Sequence, residues 1–176
     1  MNIVLTILAI LGSIIILLLI IALFTKKGYN TNSQIVIRAP RQKVFEYLKH
    51  IKNQDNFNKW VMTDPAMKKE YKGTDGTVGF IYAWNGNKQA GEGKQEIKSI
   101  TEGQSIEMEI RFVRPIAGIA HAKITTESIS NEQTRVTWTS SADMKYPLNI
   151  MLTMIVKMLE RDMNESLTTL KTILEK

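Results

Sequence analysis

The sequence predicts an α+β protein in which a curved antiparallel sheet wraps one long C-terminal helix, behind a single N-terminal membrane-spanning helix. Three observations carry this. The chain opens on an uncharged apolar run, Ile3–Phe24. Its middle is a series of short alternating segments separated by turn residues. Its end, Pro147–Glu175, carries one apolar stripe at helical spacing.

The bulk numbers fit one domain with a small appendage: 176 residues, 44% hydrophobic and 23% charged. These are globular values and exclude wholesale disorder. Cysteine is absent, which excludes disulfides, thiolate zinc sites and thiol nucleophiles. Two histidines are too few for a multi-histidine metal centre, and no metal or cofactor is expected.

The opening run, IVLTILAILGSIIILLLIIALF, is 22 residues without a charge. As a helix it is about 33 Å long, matching the hydrocarbon core of a bilayer. A cleaved signal peptide would have a basic start, a shorter apolar stretch and small residues at the cleavage site, and none of these is present. The run therefore reads as a single-pass anchor. Lys26 and Lys27 follow at once, while the other flank has neither Lys nor Arg, so the positive-inside rule places the following domain in the cytoplasm, at the cell membrane. Residues 26–98 hold 14 Lys/Arg against 7 Asp/Glu, and residues 99–176 hold 9 against 10. A basic half beside a bilayer is drawn to anionic headgroups; a solvated surface with a mild lysine excess reads equally well. The lysines are scattered and no groove-reading motif accompanies them, so no nucleic-acid partner is expected.

The expected organisation is an anchor with its basic flank at 1–27, a linker at 28–32 and one domain at 33–176. GYNTNS, from Gly28 to Ser33, is rich in turn formers. Ser33–Ala39 reads as a strand. Pro40 then opens a helix to about Ile51, with Val44, Tyr47, Leu48 and Ile51 at helical spacing. Asn53–Asp64 reads as a short helix and loop. Strands follow at Met67–Lys72, Thr77–Trp84, Lys88–Ile100, Ser105–Val113, Ala117–Ser128 and Thr134–Met144, with Asn85-Gly86 as a hairpin turn. In SIEMEIRF, alternation sets Ile106, Met108, Ile110 and Phe112 on one face and Glu107, Glu109 and Arg111 on the other. The final helix runs Pro147–Glu175, with an apolar stripe through Leu148, Met151, Ile155, Met158, Leu159, Met163, Leu167, Leu170 and Leu174.

This order, with IRAPRQKVFEYL at 37–48, DNFNKW at 55–60, DPAMK at 64–68, GKQEI at 93–97 and TRVTW at 134–138, resembles the START/polyketide cyclase-like superfamily, the helix-grip fold also called SRPBCC. The resemblance spans residues 33–176 and is closest to membrane-anchored bacterial members. It implies an apolar cavity between the sheet and the C-terminal helix. It also implies binding of lipids, polyketides or other hydrophobic molecules, with only some members enzymes. No universal catalytic residues carry over.

Read against such a cavity, the candidate ligand-lining residues are Trp60, Phe80, Tyr82, Trp84, Gly91, Gly93, Met108, Phe112, Trp138, Met151, Met154 and Met158. Glycines on an inner face leave space for a helix or ligand, and equally serve a bend. Inward aromatics suit an apolar ligand and suit a plain core as well. Methionine is adaptable and favoured at binding surfaces, though a stripe of it also builds cores. Asp55 and Asp64, near Trp60, are candidates for polar ligand contacts. His121, in AGIAHAKIT, should turn outward because Ala120, Ala122 and Ile124 turn in, and His50 should end the first soluble helix. Glu107 and Glu109 share a face with a carboxylate-pair spacing, yet that face is the solvated one. No GxxxxGK[ST] or GxGxxG motif occurs. With no catalytic constellation, the expected function is a membrane-tethered carrier or sensor of a hydrophobic small molecule or lipid. A cyclase- or dehydratase-like enzyme and a ligand-free interaction module are the alternatives. Ligand identity and oligomeric state are not encoded legibly.

Overall fold

The computed structural model describes residues 2–176 and begins with a 22-residue helix α1, Ile3–Phe24. Its apolar side chains are exposed on every side, and only Ala22 in the last turn is buried. Among the described residues it is the one helix long and apolar enough to cross a membrane.

Residues 28–32, expected as a linker, are strand instead. Strand β1 covers Gly28–Ile37, and each of its residues pairs with one between Asp143 and Thr134. The physical reason is the ladder. Tyr29, Thr31 and Ser33 continue the inward row of Ile35 and Ile37, and pairing satisfies backbone groups that a polar linker would leave to water. That outweighs the turn tendency of Gly28, Asn30 and Asn32.

Helix α2, Arg41–Lys49, starts after Pro40 and is followed by a 3-10 turn, Ile51–Asn56. A one-turn helix α3, Lys59–Met62, is capped by Asn58, whose side chain accepts the Trp60 N–H at 3.1 Å. Strands β2 (Lys68–Lys72), β3 (Ile81–Asn85), β4 (Glu92–Thr101), β5 (Ser105–Arg114), β6 (Gly118–Ser130) and β7 (Gln133–Asp143) follow. A 3-10 turn, Leu148–Met151, leads into helix α4, Leu152–Leu174.

The seven strands form one open antiparallel sheet in the order β1-β7-β6-β5-β4-β3-β2. Several boundaries differ from expectation: α4 begins at Leu152, after the 3-10 turn, rather than at Pro147, and β4 begins at Glu92 rather than Lys88. Strand β3 begins at Ile81 rather than Thr77, because Gly76 and Gly79 take positive φ, +81° and +87°, which keeps the approach looped. Asn85-Gly86 does not close a two-residue turn. The loop runs on to Gly91, wound around the Asn87 side chain, which accepts the N–H groups of Gln89 and Ala90 at 2.8 and 3.0 Å. A register shift at Ile97–Ser99 marks a bulge in β4, which bends the sheet.

The outer face is polar. Glu107 faces Lys123 and Glu127 faces Arg135 across strands, at 2.7 and 2.6 Å. His121 stands on this face and is exposed. The inner face packs on α2, α3 and α4, and Ile37, Val44, Phe45, Leu48, Ile97, Ile106, Ile124 and Val136 are buried there in one cluster.

Helix α4 is seated unevenly. In its C-terminal half Met163, Leu167, Leu170 and Leu174 are buried. Lys43 Nζ donates to the Leu174 carbonyl at 3.0 Å, Lys171 Nζ to the Val36 carbonyl at 2.9 Å, and the Arg38 N–H to Glu175 Oε1 at 2.7 Å. In the N-terminal half only Leu152 is fully buried, while Ile155, Val156 and Leu159 are half-buried. Met154 and Met158 are 63% and 45% exposed. Each lies nine residues before a buried one, Met163 and Leu167, which is two and a half turns and hence the opposite side of the helix. Substituting Leu170 by Ala should therefore cost about 2–5 kcal/mol, and Met158→Ala less than about 1 kcal/mol. Thermal melts of the two variants beside the parent chain check this contrast.

Candidate ligand-binding site

Registers place the inner-face residues side by side. At the end where α1 joins the sheet, the neighbouring strands β6 and β7 present Gly118, Ala120 and Ala122 against Ser140 and Ala142. At the other end the same two strands present Ile124, Val136 and Trp138. The floor of the grip is thus made of small side chains beneath the first turns of α4 and of large ones beneath its seated half. Glu160 is bonded to Thr31 and Ser33, which pair with Ser140 and Trp138, so the turns before it, with the half-buried Ile155, Val156 and Leu159, run toward the small-residue end.

One flank of this floor is aromatic. Gly93 of β4 pairs with Trp84 of β3 on one side and with Phe112 of β5 on the other. The two rings meet edge to face over it, centroids 6.1 Å apart. A Cβ on Gly93 would come within 2.6 Å of the Arg111 carbonyl and 2.8 Å of the Trp84 ring, so glycine is what lets the indole lie over the strand. Trp84 Nε1 donates to the Ala90 carbonyl at 3.1 Å. Phe112 is exposed on its outer side, so this flank is open.

The end wall is polar and buried. Gln54 Oε1 accepts from Asn58 Nδ2 at 2.9 Å and from Gln95 Nε2 at 3.1 Å, while Gln54 Nε2 has only the Met108 sulfur, at 3.8 Å. Beside it, Tyr82 OH donates to Asp55 Oδ1 at 2.7 Å, and Lys69 Nζ holds Asp55 Oδ2 at 2.8 Å. Burial, and then this bond to a carboxylate, push the Tyr82 phenol far above its ordinary range. It stays protonated and acts as a donor, not a base.

Of the residues expected to line a cavity, Phe80, Tyr82, Trp84, Gly93, Met108, Phe112 and Trp138 all lie on the inner face. Gly91 sits in the β3–β4 loop with φ +68°, where a Cβ would meet the Arg114 carbonyl at 2.5 Å; its role is a close backbone approach. Trp60 covers Trp138 edge to face at 5.9 Å. Met151 is half-buried, but Met154 and Met158 point away from the sheet and do not join the others. The correction has a physical source: the apolar stripe of α4 is broader than the face it buries, and its first turns carry apolar side chains on both sides. Asp55 sits in the polar wall, whereas Asp64 accepts the Ala66 and Asn87 N–H groups at 3.2 and 2.7 Å and ties two loops together. Gln54, Asn58 and the Ser140–Ala142 part of the floor were not singled out from sequence. Alternation in AHA (120–122) was the signal available for the floor. A 3-10 turn rich in polar residues gave none for Gln54. A separate open cleft of about 200 Å³ lies between α3 and α4, lined by Phe57, Lys59, Met62, Thr63, Glu165 and Thr169 and bridged by the Lys59–Glu165 ion pair. Among the described residues no cluster of three or more His, Asp or Glu side chains is placed to hold a metal.

Gly93→Ala should displace the Trp84 indole. The expected result is a loss of about 1–3 kcal/mol, as for an overpacked core, and a red-shifted tryptophan emission. Tyr82→Phe should cost about 0.5–1.5 kcal/mol, because Asp55 keeps Lys69 and water. Chemical denaturation followed by fluorescence reads both.

The fold recurs in solved structures of low sequence identity. The Zhui aromatase/cyclase from Streptomyces sp. R1128 is 13% identical with a TM-score of 0.62, covering 84% of this chain and 94% of that one. Truncated norcoclaurine synthase from Thalictrum flavum is 13% identical with a TM-score of 0.63, over 85% and 95%. The Aha1 dimer from Colwellia psychrerythraea is 16% identical with a TM-score of 0.55, over 84% and 96%. At these identities the likeness shows the helix-grip fold and nothing finer. Among curated protein sequences none matches this chain. Residues 30–175 match the family described as polyketide cyclase / dehydrase and lipid transport, within the SRPBCC superfamily, and the chain belongs to that family.

Proposed function

We propose that this chain is a membrane-tethered binding domain, a carrier or sensor, for a hydrophobic small molecule or lipid held between the sheet and the first turns of α4. One observation carries the reading. The inner face is small-residued where α4 is loosely seated, at Gly118, Ala120, Ala122, Ser140 and Ala142, and its flank is open at Trp84 and Phe112. Well-packed interiors match small residues with large ones across the interface. A small floor under a half-buried helix supports a place for a guest. The polar wall of Gln54 and Gln95 is uncharged, and the Asp55 carboxylate is already held by Lys69 and Tyr82. This suits an apolar ligand with at most a neutral polar group.

The anchor supports the rest. Only Thr25, Lys26 and Lys27 separate α1 from β1, a reach of at most ~14 Å. The domain therefore sits against the bilayer, and the Lys26-Lys27 flank orients it to the cytoplasmic side. An enzyme is the second reading. It draws on Tyr82, the one buried acid in the wall, but a phenol committed to Asp55 and held protonated lacks the reactivity of a general base. Binding is favoured.

The full chain, purified in mild detergent, is extracted for mass spectrometry beside the Ala120→Leu/Ala122→Leu variant. The parent should carry an apolar molecule that the variant lacks, while the variant's stability changes by less than about 1 kcal/mol because the loosely seated turns of α4 yield to the larger side chains at these two buried positions. A parent repeatedly free of apolar molecules, with a variant destabilised by about 1–3 kcal/mol, means a solid interior and overturns the proposal.

A further inference from the structure

The two ends of the sheet differ in character. The register Gly28–Asp143, Ala142–Ala120, Gly118–Phe112 and Arg114–Glu92 puts four features at one end: the exit of α1, the β7–α4 connection, the β5–β6 hairpin and the β3–β4 loop. The hairpin reads VRPIAGI (113–119) and the connection MKYPL (144–148). Val113, Ile116, Ile119, Tyr146 and Leu148 are all exposed there. At the far end the β4–β5 turn reads TEGQ (101–104) and the β6–β7 turn SNEQ (130–133), with Val78 and Ile129 as isolated apolar side chains.

The apolar end is also fastened to α1. Asn149, fully buried, donates through Nδ2 to the Ala22 carbonyl at 2.7 Å and to the Thr25 carbonyl at 3.0 Å. The Met144 N–H bonds the Lys27 carbonyl at 2.7 Å. Leu148, next to Asn149, is thereby held beside the last turn of α1. Around the same end Lys26, Lys27, Lys88 and Lys145 are exposed and have no carboxylate partner among the described residues, while Glu92 is paired with Arg114 and Asp64 is bonded to backbone. Asp143 is the exposed acid among them.

We infer that this end of the domain is a second membrane contact. The β5–β6 hairpin and the β7–α4 connection seat Val113, Ile116, Ile119, Tyr146 and Leu148 in the headgroup–acyl boundary of the bilayer that α1 spans, and the unpaired lysines rest on anionic headgroups. Apolar side chains ringed by lysines are the composition of interfacial membrane contacts. The lipid is the occupant because the chain itself fixes this end at the point where α1 leaves the bilayer. The contact would also face the open Trp84–Phe112 flank toward lipid. The inference rests on the proposed reading of α1 as a membrane span and is independent of whether a ligand is bound.

The absence of cysteine makes single labels clean. Ile116→Cys, Asn131→Cys and Leu11→Cys full chains, each carrying a bimane label, are reconstituted in vesicles of phosphatidylcholine and phosphatidylglycerol. Quenching by acyl-chain-brominated lipid and by aqueous iodide is then read for each. The expected result is strong lipid quenching at Leu11 and, at Ile116, lipid quenching about twofold or more above that at Asn131, with matching protection from iodide. Strong quenching at Leu11 with Ile116 no different from Asn131 overturns the second contact and leaves the anchor standing. Ile116 shielded from iodide yet not quenched by lipid assigns this end to a protein partner or a second copy, and overturns it too. Absence of quenching at Leu11 removes the span, and the rim contact falls with it.

Discussion

The seating of the C-terminal half of α4 on the sheet holds this structure together. Met163, Leu167, Leu170 and Leu174 are buried against Ile37, Val136 and Ile124, and each such side chain contributes about 1.5–3 kcal/mol by leaving water. Lys43, Lys171 and Arg38 then fix the last turn to α2 and β1 through backbone and carboxylate partners. With one half so secured, the other need not be packed for the fold to persist. The floor under the first turns can be glycine, alanine and serine because the helix is positioned from its far end.

The second constraint is the absence of slack between α1 and β1. Backbone pairing starts at Gly28 and the buried Asn149 amide bridges two carbonyls at the end of α1. Helix α1, the sheet edge and the start of α4 are consequently one unit. The loosely seated half of α4, the open aromatic flank and the exit of α1 all fall at the same end of the sheet. Nothing in a helix-grip fold requires that coincidence. It follows here from the register of β1 against β7 and from the short passage through Thr25–Lys27.

Much of the fold was legible because its signals are periodic. The alternation in SIEMEIRF fixed which face of β5 turns inward, and the outward position of His121 followed from its alanine neighbours. The long stripe located α4. What failed to show was information held by partners distant in sequence. Gly28–Asn32 looks like a linker locally and is a strand only because Asp143–Thr139 lies alongside. Met154 and Met158 look like the inner stripe because the first turns of α4 are apolar on both sides, and only the seating of Met163 and Leu167 sets the rotation. The candidate site was half legible. Trp84, Gly93 and Phe112 were identified, but that Gly93 lies between the two rings depends on the registers of three strands. Gln54 reaches the wall from a 3-10 turn with no periodicity to betray it.

The same division of the helix bears on how a buried site exchanges its contents. A cavity costs stability roughly in proportion to its volume, so space is best tolerated where few other contacts depend on it. Regions with few buried apolar contacts also open locally at free energies well below that of global unfolding. Both considerations select the first turns of α4, where Ile155, Val156 and Leu159 are half-buried and the described bonds to the sheet begin only at Glu160, which accepts from the Thr31 and Ser33 hydroxyls at 2.6 and 3.4 Å. On the proposed reading, the stretch between the Asn149 tether and Glu160 swings outward and exposes the small-residue floor without disturbing Met163 through Leu174. On that reading the motion would occur at the end where α1 exits. A greasy molecule released there meets lipid before it meets bulk water, which removes most of the hydrophobic penalty of transfer. Placed at the opposite end, the same opening would expose both floor and guest to solvent.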